Sequence, residues 1–125
     1  LLDALRKLHA ADLYLACACT QGLTIAQAAL DTHFLPKVDA AVARVQSAGD
    51  RAAEVRQRLR ERLFTSQEGR APHIADYQGT GPLAAWLRAA AVRTALNLLR
   101  SERRRARRRT TLRAIVRSQA RGASG

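Results

Sequence analysis

Residues 81–109 read GPLAAWLRAAAVRTALNLLRSERRRARRR, and this stretch predicts the longest helix of the chain. Pro82 stands where a helix can begin, because the N–H groups of a first turn have no partner within the helix. No helix-breaking residue follows, so we expect the helix to continue to about Arg109. Its core-facing side is predicted from helical spacing: Leu83, Leu87, Ala90, Ala91, Thr94 and Leu98.

The rest of the chain lacks the alternating pattern of β-strands and shows helical spacing of apolar residues. Three earlier helices are predicted over residues 2–20, over residues 24–46 with a kink or division at Pro36, and from the cap Asp50 to Phe64. Residues 65–81 should form a loop with one helical turn near residues 73–77. The predicted fold is all-α, a compact bundle of about four helices with a long C-terminal basic helix.

The end of the chain is expected to differ from the bundle. Residues 1–109 are predicted to form one helical domain, and residues 110–125 a linker or tail that is partly disordered. Thr110 and Thr111 should end the long helix or cap a short last one, over residues 112–120.

Charge is concentrated in one segment. The formal net charge is +12, and residues 100–125 contain ten arginines against a single acid, Glu102. Such a block predicts a polyanionic partner. His9, His33 and His73 lie far apart in sequence with no ligand or catalytic pattern around them, so we expect no enzyme activity, no metal and no cofactor. Cys17 and Cys19 are expected to be buried, reduced thiols, and no apolar run is long enough for a membrane span.

A polar stripe is predicted along the basic helix. At 100° per residue, five side chains fall within about 60° of one another: Trp86, Arg93, Asn97, Arg100 and Arg104. An aromatic ring can stack on a base, an amide can read a base edge and guanidinium groups can hold phosphates. The stripe therefore predicts contact with an unstacked nucleic-acid strand, unless Trp86 instead packs into the core.

The helix that ends at Phe64 has a second, polar stripe opposite a thin apolar one. The apolar positions are Val55, Leu59 and Leu63. The polar positions, at spacings of three and four, are Glu54, Gln57, Arg58 and Glu61. On periodicity alone this stripe is either a solvated face or a docking surface.

The segment YQGTGPLAAWLRAAAVRTALNLLR, residues 77–100, and the basic run after it resemble the second conserved region of bacterial RNA polymerase sigma factors, most closely the extracytoplasmic-function type. The segment AEVRQ, residues 53–57, followed by Leu63-Phe64, is similar to an earlier part of that region. The resemblance covers residues 10–109. Arg58 stands where the family usually has glutamate, and Val92-Arg93 replace its usual Arg-Asn pair.

The resemblance implies a sigma factor domain of the cytoplasm that docks on the largest-subunit coiled coil of core RNA polymerase and melts the −10 promoter element, which is partly single-stranded when bound. An anti-sigma factor is a further partner that the resemblance implies. The implied DNA-binding residues are Trp86, Arg88, Arg93, Asn97, Arg100, Arg103 and Arg104. The implied polymerase-binding residues are Glu54, Gln57, Arg58 and Glu61. Two alternatives are a helical module that mimics a sigma domain without promoter specificity, and a nonspecific basic nucleic-acid binder.

Overall fold

The computed structural model describes residues 9–45 and 51–123, and these residues form an all-α bundle with no β-strand. Within these ranges five α-helices follow one another: α1 (Ala10–Thr20), α2 (Thr24–His33), α3 (Leu35–Ala43), α4 (Ala52–Phe64) and α5 (Leu83–Ala123). A 3₁₀ turn, His73–Asp76, lies in the loop between α4 and α5. The predicted fold class and the helical turn in this loop are thus confirmed.

The predicted second helix is divided, as Pro36 suggested, but the division lies at Phe34. Pro36 occupies the first turn of α3, where its missing N–H costs little. A proline cannot bond to the carbonyl four residues earlier and its ring clashes with it, so the break falls before the proline itself. The predicted start of the first helix and the predicted cap Asp50 lie outside the described residues.

Helix α5 is longer than predicted. It spans 41 residues, or about 60 Å at 1.5 Å per residue, and passes through Thr110 and Thr111 without a break. The hydroxyl of Thr110 donates a hydrogen bond to the carbonyl of Ala106 at 2.9 Å, which keeps its side chain within the helical geometry. The prediction that the helix ends near Arg109 is therefore wrong, because it continues to Ala123.

The core is formed where α3 and α4 pack against the first half of α5. Leu59 and Leu63 of α4 and Leu87 and Leu98 of α5 are almost completely buried, as predicted. Three small residues of α5, Ala90, Ala91 and Ala95, are buried with them. Beyond residue 102 every described residue of α5 is exposed, so the second half of α5 extends away from the core.

The first turn of α5 is capped by a residue far away in sequence. A carboxylate oxygen of Asp12, in α1, accepts a hydrogen bond from the backbone N–H of Leu83 at 2.9 Å. Nearby, the N–H of His9 donates to the carbonyl of Gly79 at 2.8 Å. Gly79 has a φ of +77°, which strains any residue with a side chain, and a Cβ there would lie 3.2 Å from the side chain of Leu13, which would have to shift. Helix α1 thus holds the loop that leads into α5.

Replacing Asp12 with alanine should lower the free energy of unfolding by about 1–2 kcal/mol, because it leaves the N–H of Leu83 without its acceptor. Thermal unfolding followed by circular dichroism measures the loss. Asp12→Asn keeps an oxygen acceptor and should recover most of the stability. Equal melting temperatures for the wild type and the alanine variant would contradict the role of Asp12 as a cap.

Candidate nucleic-acid interface

Trp86 is half-buried and packs on both the core and the loop before α5. Its ring lies 5.0 Å from the His73 ring, with the planes 30° apart, and 5.8 Å from the Tyr77 ring in an edge-on arrangement. Its remaining surface lines a cleft of about 210 Å³ with residues of the loop that include Gln78 and Thr80. The two predicted roles of Trp86, core packing and an accessible aromatic surface, are therefore compatible.

The neighbours of Trp86 are themselves held in place. The Tyr77 side chain is buried, and its hydroxyl donates a hydrogen bond to the carbonyl of Gly81. Burial raises the pKa of Tyr77 above its usual value, and the negative charge of Asp12 raises it further. Nδ1 of His73 lies 2.9 Å from a carboxylate oxygen of Asp76. Both aromatic rings that pack on Trp86 are therefore fixed by a polar contact, Tyr77 to Gly81 and His73 to Asp76.

The rest of the predicted stripe lies exposed along one side of α5. Because the helix is continuous, Arg93, Asn97, Arg100 and Arg104 stay aligned with Trp86 over about 27 Å. Two other residues implied in DNA binding do not share this side. Arg88 is about 160° from Trp86 around the helix axis and Arg103 about 100°. Arg103 borders a different cleft, together with Arg51 and Glu102.

Asn97 lines a cleft of about 230 Å³ between α4 and α5. Arg58 and Glu61, which the resemblance implies in polymerase binding, border the same cleft. The other two residues of that set lie on the outer surface of α4. Gln57 is exposed and bonds to Glu61 at 3.3 Å, and Glu54 pairs with Arg58 at 3.4 Å. The structure thus brings half of the implied docking set next to the implied base-reading amide.

A third cleft, of about 380 Å³, lies between the other two. It shares Arg62 and Gln67 with the cleft at Asn97, and Asp76 with the cleft at Trp86. The three clefts therefore border on common residues of the end of α4 and of the loop before α5, and we refer to them together as the α4–α5 groove. It begins beside Trp86 and ends beside Asn97.

Sequence reasoning missed the middle of this groove, because residues 65–81 have no periodicity to interpret. A tight turn shapes it: Glu68 and Gly69 both have positive φ, 51° and 75°, and the N–H of Arg70 bonds to the carbonyl of Gln67 at 2.8 Å. Two central residues with positive φ are the mark of a hairpin turn. The sequence Gln-Glu-Gly-Arg, with glycine in the third position, was the available signal.

The cysteines differ from each other. Cys19 is buried, and desolvation raises the pKa of its thiol, whereas Cys17 is exposed. The prediction that both are buried is wrong for Cys17, because α1 has only one side against the bundle. Among the described residues, no three histidine, cysteine or acidic side chains are grouped as metal ligands would be. None of the described helices combines the length and the apolar character that crossing a membrane requires.

Comparison of the chain with protein-family models, with curated proteins and with solved structures found no match.

Proposed function

We propose that this chain is a sigma-type domain for transcription initiation. It docks on core RNA polymerase through the outer face of α4 and captures the single-stranded −10 promoter element along α5. It acts in the cytoplasm and catalyses no reaction itself. It binds the −10 element and thereby selects the DNA that the polymerase opens.

The observation that carries the proposal is the α4–α5 groove, which joins an accessible aromatic ring at Trp86 to an exposed amide at Asn97. A nonspecific basic surface needs only charge. A groove with a stacking ring at one end and a base-reading amide at the other suits a strand whose bases are unstacked. Extruding a base costs a few kcal/mol, which contacts of this kind offset.

The exposed second half of α5 favours a second candidate, the nonspecific nucleic-acid binder. Arginines surround this part of the helix on several sides and no described acidic residue lies beyond Glu102. Phosphate contacts of that kind are independent of sequence and weaken steeply with salt. This charge also serves the sigma-type function, since it attracts DNA to the domain.

Fluorescence anisotropy with fork-junction and duplex oligonucleotides, with and without core polymerase, separates the candidates. The sigma-type proposal expects sequence-dependent binding of the fork that requires polymerase. Binding to polymerase with no promoter preference would indicate a mimic of a sigma domain. Equal, salt-sensitive affinity for every oligonucleotide would leave only the nonspecific binder.

The docking half of the proposal depends on the outer face of α4. Glu54→Lys and Gln57→Ala are each expected to weaken binding to core polymerase without DNA by about 5- to 30-fold, corresponding to about 1–2 kcal/mol at a partner surface. Glu68→Lys makes the same charge change in the loop after α4, outside the proposed docking face, and should leave the affinity within about twofold. Helicity must be unchanged in all three. Wild-type affinity of both α4 variants would refute docking through this face.

A further inference from the structure

The arginines of α4 fall into two groups. Arg56 pairs with Asp39 of α3, Arg58 with Glu54, and Arg60 with Asp31 of α2 at 2.6 Å. These pairs neutralise the guanidinium groups, and those of Arg56 and Arg60 also connect α4 to its neighbours. Arg62 lies on the last turn of the same helix and is exposed, and no carboxylate among the described residues pairs with it.

Arg70 is a second guanidinium of this kind. It directly follows the turn at Glu68 and Gly69, and it lines the 380 Å³ cleft together with Arg62. No ion pair to Arg70 is present among the described residues either. The one acid that lines this cleft, Asp76, is bonded to His73. Two positively charged side chains thus border one cleft, and neither forms an ion pair with a described residue.

The position of the cleft indicates which anion it suits. It lies between the ring at Trp86 and the amide at Asn97, which are about 16 Å apart along α5. A single strand carries one phosphate per nucleotide, so a strand whose bases reach both ends of this distance has backbone phosphates between them. Guanidinium groups bind phosphate oxygens through two parallel hydrogen bonds.

We propose that Arg62 and Arg70 form a phosphodiester-binding subsite in the middle of the α4–α5 groove. The subsite holds the backbone of a single strand whose bases reach Trp86 at one end and Asn97 at the other. The inference rests on the proposed function in taking single-stranded nucleic acid as the ligand. It adds two contact residues outside α5, at positions that neither the stripe nor the resemblance includes.

The test compares Arg62→Gln and Arg70→Gln with Arg113→Gln and Arg117→Gln. The second pair removes the same charge from exposed positions of α5 outside the groove. Anisotropy is measured with fork-junction DNA and core polymerase over a range of salt concentrations. Each groove variant should lose about 5- to 15-fold in affinity and lower the salt slope by about 0.7, the value for one phosphate of a single strand. Equal losses for both pairs would overturn the subsite.

A set of forks, each with one uncharged methylphosphonate linkage in the single strand, makes the test specific. At one or two adjacent linkages, the methylphosphonate should lower the affinity of the wild type. The affinity of Arg70→Gln should hardly change at the same linkages, because this variant already lacks the phosphate contact. If the loss from the methylphosphonate and the loss from Arg70→Gln are additive at every linkage, Arg70 attracts DNA only through its general electrostatic field, and the subsite is refuted.

Oligo(dT) binding without polymerase separates this inference from the proposed function. If fork binding is independent of polymerase and promoter but the groove variants still lose affinity for oligo(dT) more than the controls, the subsite holds and the sigma-type function fails. If polymerase-dependent fork binding is intact while all four variants behave alike, the function holds and the subsite is wrong.

Discussion

Trp86→Leu should weaken the binding of fork-junction DNA by the polymerase-bound protein by about 5- to 150-fold, because stacking of a base on an aromatic ring contributes about 1–3 kcal/mol. Leucine retains apolar volume against the core, where part of the Trp86 side chain packs, but it offers no π-face to a base. The measurement is fluorescence anisotropy with a fork whose single-stranded tail carries the −10 element. Promoter opening by the same complex should fall in parallel.

Two comparisons keep this prediction open to refutation. Trp86→Phe restores an aromatic ring at the cleft and should recover most of the affinity. Trp86 also contacts His73 and Tyr77, so its replacement can lower stability as well as DNA affinity. The melting temperature of both variants, measured by circular dichroism, shows how much packing is lost. If the leucine and phenylalanine variants bind the fork equally well, Trp86 stabilises the loop and does not stack on a base.

The largest loss of stability is expected from Leu59→Ala. Leu59 is 1% exposed and lies at the centre of the narrow apolar side of α4, between Val55 and Leu63. Truncation of a buried leucine removes its transfer free energy and leaves a cavity, at a cost of about 2–5 kcal/mol. A domain of this size is stable by only about 5–15 kcal/mol, so the melting temperature should fall by more than about 8 °C. Chemical denaturation provides the free energy of unfolding directly.

Leu112→Ala is the matched control for this substitution. The chemical change is the same, but Leu112 is 60% exposed on the second half of α5. Alanine also has the highest helix propensity, so stability should change by no more than about 0.5 kcal/mol. A similar loss at both positions would mean that the end of α5 is packed against another part of the chain.

The predicted pattern of buried residues was confirmed for α4 and α5, because burial against one surface imposes a period of 3.6 that is visible in the chain itself. Val55, Leu59 and Leu63 are buried, and so is the predicted side of α5. The alignment of Trp86 with Asn97 also follows from helical geometry alone. The DNA-binding and docking roles of these residues remain predictions.

Contacts between distant segments could not be predicted in this way. The cap on Leu83 comes from Asp12, seventy-one residues earlier, where no local pattern marks it. The predicted end of α5 is wrong because threonine disfavours helices, so that the pair Thr110-Thr111 predicts an end. In the structure the Thr110 hydroxyl bonds back to a carbonyl within the helix, and the helix continues.

The helical fold, the buried sides of α4 and α5, the concentration of arginine and the single stripe on α5 can all be predicted from the chain alone. All of these depend on residues within a few turns of one another. Contacts between segments determine that Trp86 and Asn97 of the stripe line neighbouring clefts. They also determine that Arg62 and Arg70 border one cleft, while Arg56 and Arg60 pair with acids of α3 and α2. The reason is physical: periodicity shows which side of a helix is polar, but the charge and shape of a site depend on the side chains that other segments bring to it.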